Sequence, residues 1–185
     1  ARSPDASDAL RRLARAEGGS PFMALLAGFQ VLLARWSGTD DVVVGTPLAN
    51  RGRPETEGLL GLLVNTLPLR AELSGEPSFR DVLRAARDAT CGAYAHQDLP
   101  FERLVDALGV ERSLAHHPVY QVLFSLQNAV DVLRLEGIRT ERVELGTQTS
   151  RVDLTLALED AGRSGVRGWL EYATELFDDE TAARL

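Results

Sequence analysis

The sequence predicts an α+β domain in which helices cover a mixed β-sheet. Two apolar stripes at helical spacing, Phe22 to Trp36 and Phe79 to Ala93, predict core-facing helices. Two stretches of strict alternation, Tyr120 to Gln127 and Val152 to Glu159, predict strands. These helices and strands do not follow the βαβ order of a doubly wound sheet, which excludes that class.

The elements follow in order. Ala6, Leu10, Leu13 and Ala14 recur at helical spacing, and Gly18-Gly19 ends that helix. Ser20 caps a second helix with Pro21 at its first position, where the missing N–H costs nothing. Its stripe of Phe22, Leu25, Leu26, Phe29, Leu32, Leu33 and Trp36 is closed by Gly38. Val42-Val43-Val44 reads as a strand buried on both faces. Ala49 to Glu57 reads as a polar loop. Leu62 to Arg70 is extended, and Pro68 places it at a sheet edge or a bulge. Ser78 starts a long amphipathic helix, and Asp98 with Pro100 starts a shorter one. The period changes to two from Val119. A turn from Asp160 to Gly165 joins the Val152 strand to another running from Val166 to Phe177. Asp178 then caps a last helix.

Composition narrows the function. The chain has 185 residues, 20 basic against 27 acidic side chains and a net charge of −7, with every basic residue an arginine. The acid is densest from Glu171 to Glu180 and reads as a solvated face. No concentrated basic patch is available for a phosphate backbone, so nucleic acid is not an expected partner. A single cysteine, Cys91, excludes a disulfide framework and a cysteine-rich metal site. No run approaches the ~20 apolar residues that cross a bilayer, and no signal peptide is visible, so no membrane partner is expected and a cytoplasmic chain is. The chain opens on Ala1 rather than Met and stops soon after its last cap, which predicts a piece of a longer protein.

The residues offer little catalytic chemistry. His116-His117 lie on opposite faces of any extended segment and do not chelate one metal together; they read as a loop held by Pro118. His96 ends a helix, where a cation suits the dipole. Cys91 sits mid-helix with no basic neighbour to activate it. Gly58 to Gly61 follows no strand in phosphate-binding spacing. Asn65 stands out, because it shares a strand face with Leu63, Leu67 and Leu69. An amide so placed must be hydrogen-bonded, either by the fold or by a ligand in a channel.

Three segments carry a resemblance. Gly61 to Arg70 (Gly-Leu-Leu-Val-Asn-Thr-Leu-Pro-Leu-Arg) resembles the Val-Asn-Thr motif of condensation domains from nonribosomal peptide synthetases. His96, Gln97, Asp98, Leu99, Pro100, Phe101 and Glu102 resemble the His-Gln-Asp-x-Pro-Phe-Glu motif of the same domains, which we take as structural. Arg112 to Asn128 resembles the next motif and its strand. Thr39 to Arg51, Asp153-Leu-Thr-Leu and Leu170-Glu-Tyr agree in order and spacing.

The resemblance implies a chloramphenicol acetyltransferase-like lobe, one half of a V-shaped, two-lobed domain with a tunnel between the lobes. It covers the C-terminal lobe only, over residues 1–185, with the N-terminal lobe absent. It implies a floor loop near residues 46–61, a latch near 130–149, and Asn65, Thr66 and Thr46 lining the tunnel. It implies partners: the N-terminal lobe, upstream and downstream peptidyl carrier proteins, and a neighbouring adenylation domain. It implies no cofactor on this chain, with 4′-phosphopantetheine on the carriers, and a role in antibiotic or siderophore biosynthesis in a bacterium. The family's His-His-x-x-x-Asp-Gly signature is not matched at His116-His117, where Gln121 and Val122 replace Asp and Gly, so no catalytic or metal residue is assigned. The alternative is a non-catalytic, condensation-like platform that recruits partner proteins. An epimerisation or heterocyclisation relative is disfavoured by the Val-Asn-Thr segment.

Overall fold

A computed structural model describes residues 4–110, 113, 116–128, 135–141, 143, 149–162 and 165–185. The elements are α1 (Pro4–Ala16), α2 (Pro21–Ser37), β1 (Asp41–Leu48), α3 (Pro54–Glu57), β2 (Asn65–Glu72), α4 (Phe79–Ala95), α5 (Phe101–Leu108), β3 (Val122–Asn128), β4 (Leu154–Asp160), β5 (Val166–Tyr172) and α6 (Asp179–Arg184). The strands form one mixed sheet in the order β2-β1-β3-β4-β5. Its outer pairs are antiparallel and its inner pairs parallel, so the α+β expectation holds.

Local chemistry sets the helix ends. The Ser20 hydroxyl accepts the Met23 N–H at 3.3 Å, and Gly38 closes α2 in the left-handed conformation at φ 70°. Asp178 caps α6 by accepting the Thr181 N–H at 2.6 Å. The core lies where α1, α2 and α4 cover one face of the sheet. Leu26, Phe29, Val44, Leu69, Leu83 and Phe124 are all buried there. Phe124 stacks between Phe22 and Phe29, with ring centroids 5.3 and 5.8 Å away.

Several boundaries differ from the sequence reading. Trp36, expected on the buried stripe of α2, is 46% exposed, and burial fades from Val31 onward. The loop from Ala49 contains the single turn α3. β2 begins at Asn65 rather than Leu62, and it is an edge strand, as Pro68 indicated. β3 begins at Val122 because Val119 adopts φ 74° and breaks the extended run. β5 stops at Tyr172 because the Ala173 carbonyl accepts the Leu176 and Phe177 N–H groups and turns the chain. The latch expected near 130–149 lies largely outside the described residues.

Candidate functional site

The end of β1 and the start of β2 lie side by side, with Leu48 opposite Asn65 and Pro47 opposite Thr66. The loop joining α4 to α5 and the loop from His116 to Tyr120 meet them there. Together they form an open groove of about 290 Å³, with Asn65, Thr66, Asp98, Glu102, His117 and Tyr120 on its walls.

Asn65 is the hub of this end. Its amide nitrogen donates to the carbonyls of Gln97 at 2.9 Å and Leu99 at 2.8 Å. Its Oδ1 accepts the Thr66 N–H at 2.9 Å and the Phe101 N–H at 3.1 Å. The last bond supplies what α5 lacks locally, since its N-cap residue Pro100 has no side-chain acceptor. The fold therefore satisfies the Asn65 amide, through the α4–α5 loop rather than a cross-strand partner. This one side chain ties the Val-Asn-Thr segment to the His-Gln-Asp segment.

The other expected residues take distinct places. Thr46 is buried in β1, opposite Leu67. Thr66 is half-buried and hydrogen-bonds Tyr120. His96 is exposed and caps the end of α4. Gln97 and Leu99 contribute backbone carbonyls to Asn65, whereas the exposed Asp98 and Glu102 line the groove.

Sequence reading missed an aromatic trio. Phe101, His117 and Tyr120 stack on one another, with centroids 5.4 Å apart for both Phe101 pairs and 4.1 Å for His117 and Tyr120. Tyr120 lies flat against β1 at Gly45, where a Cβ would stand 2.7 Å from the ring. The glycine that directly follows the Val42-Val43-Val44 run was the available signal. Burial raises the Tyr120 hydroxyl above its ordinary range, against a hydrogen bond with Thr66 that lowers it.

The Pro118 carbonyl fixes the trio. It accepts the Tyr120 N–H at 2.9 Å across Val119, a γ-turn of the strained, positive-φ kind. It also lies 2.9 Å from Nδ1 of His117. A carbonyl only accepts, so Nδ1 carries the hydrogen.

Below the groove, Arg51 organises the loop before β2. Its guanidinium donates to the carbonyls of Thr56, Leu59 and Gly61 at 2.7, 2.8 and 3.0 Å. On the same loop Leu59, Leu60, Leu62 and Val64 are exposed, Leu60 fully.

The site is thus a rigid, hydrogen-bonded wall beside an apolar arm, suited to shaping and positioning. A condensation-domain family model matches residues 2–185. The chain belongs to the condensation-domain family. A linear gramicidin synthase of Brevibacillus parabrevis is 51% identical over 179 residues, covering 95% of this chain and 4% of that protein. The X-domain from teicoplanin biosynthesis superposes with a TM-score of 0.89 at 30% identity, over 98% of this chain and 42% of that one. The X-domain in its complex with OxyB gives 0.83 at 31% identity, over 96% and 40%. This condensation-family chain therefore spans a small part of its curated relative and under half of the X-domain chain. No single described helix is long and apolar enough to cross a membrane.

Proposed function

We propose that this chain is the C-terminal lobe of a condensation domain in a nonribosomal peptide synthetase. The complete domain joins an acceptor amine to a donor acyl group, each held as a thioester on the phosphopantetheine arm of a carrier protein. The amine nitrogen bonds to the donor carbonyl carbon, and the donor sulfur leaves as a thiol. The observation that carries this reading is the Asn65 clamp, which joins two segments of condensation-domain type into one wall.

In this reading the floor loop expected near 46–61 crosses toward the N-terminal lobe over residues 49–61, since 46–48 complete β1. The exposed Leu59, Leu60 and Leu62 meet that lobe. Asn65 and Thr66 belong to the tunnel wall, with Asn65 setting its shape because its own hydrogen bonds are already spent. Thr46, buried in β1, lies behind that wall rather than on it. Holding two tethered reactants in line is worth up to roughly 7–11 kcal/mol of the barrier. The partners are the N-terminal lobe, two carrier proteins and an adenylation domain, in the cytoplasm of a bacterium that makes a peptide antibiotic or siderophore.

The purified chain is expected to form no dipeptide from two loaded carriers. The same chain joined to the preceding lobe of its parent protein is expected to form one, read as the mass of the thioester released from the acceptor carrier. Turnover by the isolated chain, or none from a joined protein that carries His-His-x-x-x-Asp-Gly, overturns the reading. A second reading, a non-catalytic recruitment platform, draws on the 31% identity to the X-domain solved with OxyB. It is favoured if the preceding lobe lacks that signature.

A further inference from the structure

The two edges of the sheet are treated differently. At the β2 edge Pro68 removes a backbone donor, the Gln30 amide of α2 donates to the Leu69 carbonyl at 3.2 Å, and Asn65 is tied to the α4–α5 loop. Such features blunt an edge against further pairing. β5 has no proline and pairs with β4 along its whole length, with no second strand partner among the described residues. Arg167, Gly168 and Trp169 are exposed, Trp169 to 43%.

The charges of β5 complement themselves. Arg167, Trp169 and Glu171 alternate onto one face of the strand. Let a second β5 lie antiparallel on the outer edge, about a two-fold axis through Trp169. Each Arg167 then stands opposite the partner's Glu171, and the two indoles meet at the axis. An axis through residue 167 or 171 would instead set like charges opposite each other. The Arg167 guanidinium is already ordered, because Glu159 on β4 accepts its Nε–H at 3.0 Å and its Nη2–H at 2.9 Å.

We propose that β5 is a self-pairing edge, through which two copies of this chain join antiparallel into one continuous sheet centred on Trp169. This stands apart from the peptide-bond reading and survives its failure.

Sedimentation velocity of the 185-residue chain, from micromolar to submillimolar concentration, is expected to show a monomer–dimer equilibrium. Glu171→Arg sets arginines opposite each other twice per dimer and is expected to weaken it about tenfold. Glu171 faces Thr155 on β4, so this change leaves the β4–β5 ladder in place, and circular dichroism checks that it does. In a Cys91→Ser background, Trp169→Cys is expected to form an intermolecular disulfide, since residues on the axis have Cα atoms about 4.5–5.5 Å apart. Glu171→Cys is expected not to, because its symmetry mate lies about 13 Å off along the strands. A chain that stays monomeric throughout overturns the proposal. So does a dimer that ignores Glu171→Arg, or one that fails to cross-link at residue 169; either would place the contact on another surface, such as the apolar arm at Leu59 to Val64.

Discussion

Oδ1 of Asn65, at the start of an edge strand, accepts the backbone N–H of Phe101 at the start of α5, 3.1 Å away. A helix that begins after proline has thereby obtained its cap from another part of the chain. Two substitutions separate the halves of this clamp. Asn65→Ala removes all four bonds and is expected to cost about 2–3 kcal/mol, from backbone groups left without partners. Asn65→Asp keeps the acceptor for Phe101 but sets a carboxylate against the Gln97 and Leu99 carbonyls. It is expected to be at least as damaging as alanine at neutral pH, and to recover as the carboxylate protonates. Denaturant titration of both variants at two pH values checks this; an aspartate that matches the parent at pH 7 would show the two donated bonds to be idle.

Gly45 and Tyr120 share one space. Gly45→Ala is expected to destabilise the fold by about 1–3 kcal/mol, because the new methyl meets a ring held between Phe101, His117 and the strand. Tyr120→Leu removes the obstructing ring, so the double variant should lose less than the two single changes added together. Additive losses in that cycle would mean that the two residues do not interact.

Acid should unfold this chain through a few identifiable carboxylates. Glu17 is buried under α4, where it accepts from Arg80 and, at 2.7 Å, from Nε of Arg84. Desolvation pushes its carboxyl up, but the two guanidinium bonds and their charges outweigh that and hold it below the ordinary range. Hydrogen bonds from Arg70 lower Asp41, and the Thr181 N–H lowers Asp178, in the same direction. A carboxyl whose folded pKa is depressed contributes stability above its unfolded value, and loses it as pH falls through the folded one. The melting temperature is therefore expected to be level near neutrality and to fall below about pH 4. Arg84→Gln should be less stable than the parent at pH 7 and converge with it in acid. A gap that stays constant across pH would remove Glu17 from the account.

Most of the fold was legible because it rests on local signals. Ser20, Gly38, Ser78 and Asp178 bound their helices as read, and Pro68 marked an edge strand. Asn65 could be singled out because an amide among leucines must find partners. Which partners it finds depends on how β2 meets the α4–α5 loop, and no periodicity encodes that. His117 was legible only as half of a pair, since its stacking on Phe101 and Tyr120 is long-range. The outward leucines at 59 to 62 look like core in sequence. They are exposed on a loop whose carbonyls Arg51 holds, and no periodicity reports what lies over a loop.

Val119 gives the sharpest test of strain. It is β-branched, half-buried and held at φ 74°, where a side chain crowds its own backbone at a cost of about 1–3 kcal/mol. Alanine at this position gives up the buried methyls and keeps much of the strain. Glycine gives up the same methyls, adds about 0.5–1 kcal/mol of unfolded-state freedom, and relieves the strain altogether. Val119→Gly is therefore expected to be the more stable of the two, the reverse of the usual order within a chain segment. Thermal unfolding of both variants, with near-ultraviolet dichroism to follow Tyr120, reads this out directly. Alanine more stable than glycine would mean that residue 119 does not occupy the γ-turn in solution, and that His117 and Tyr120 are held together by stacking alone.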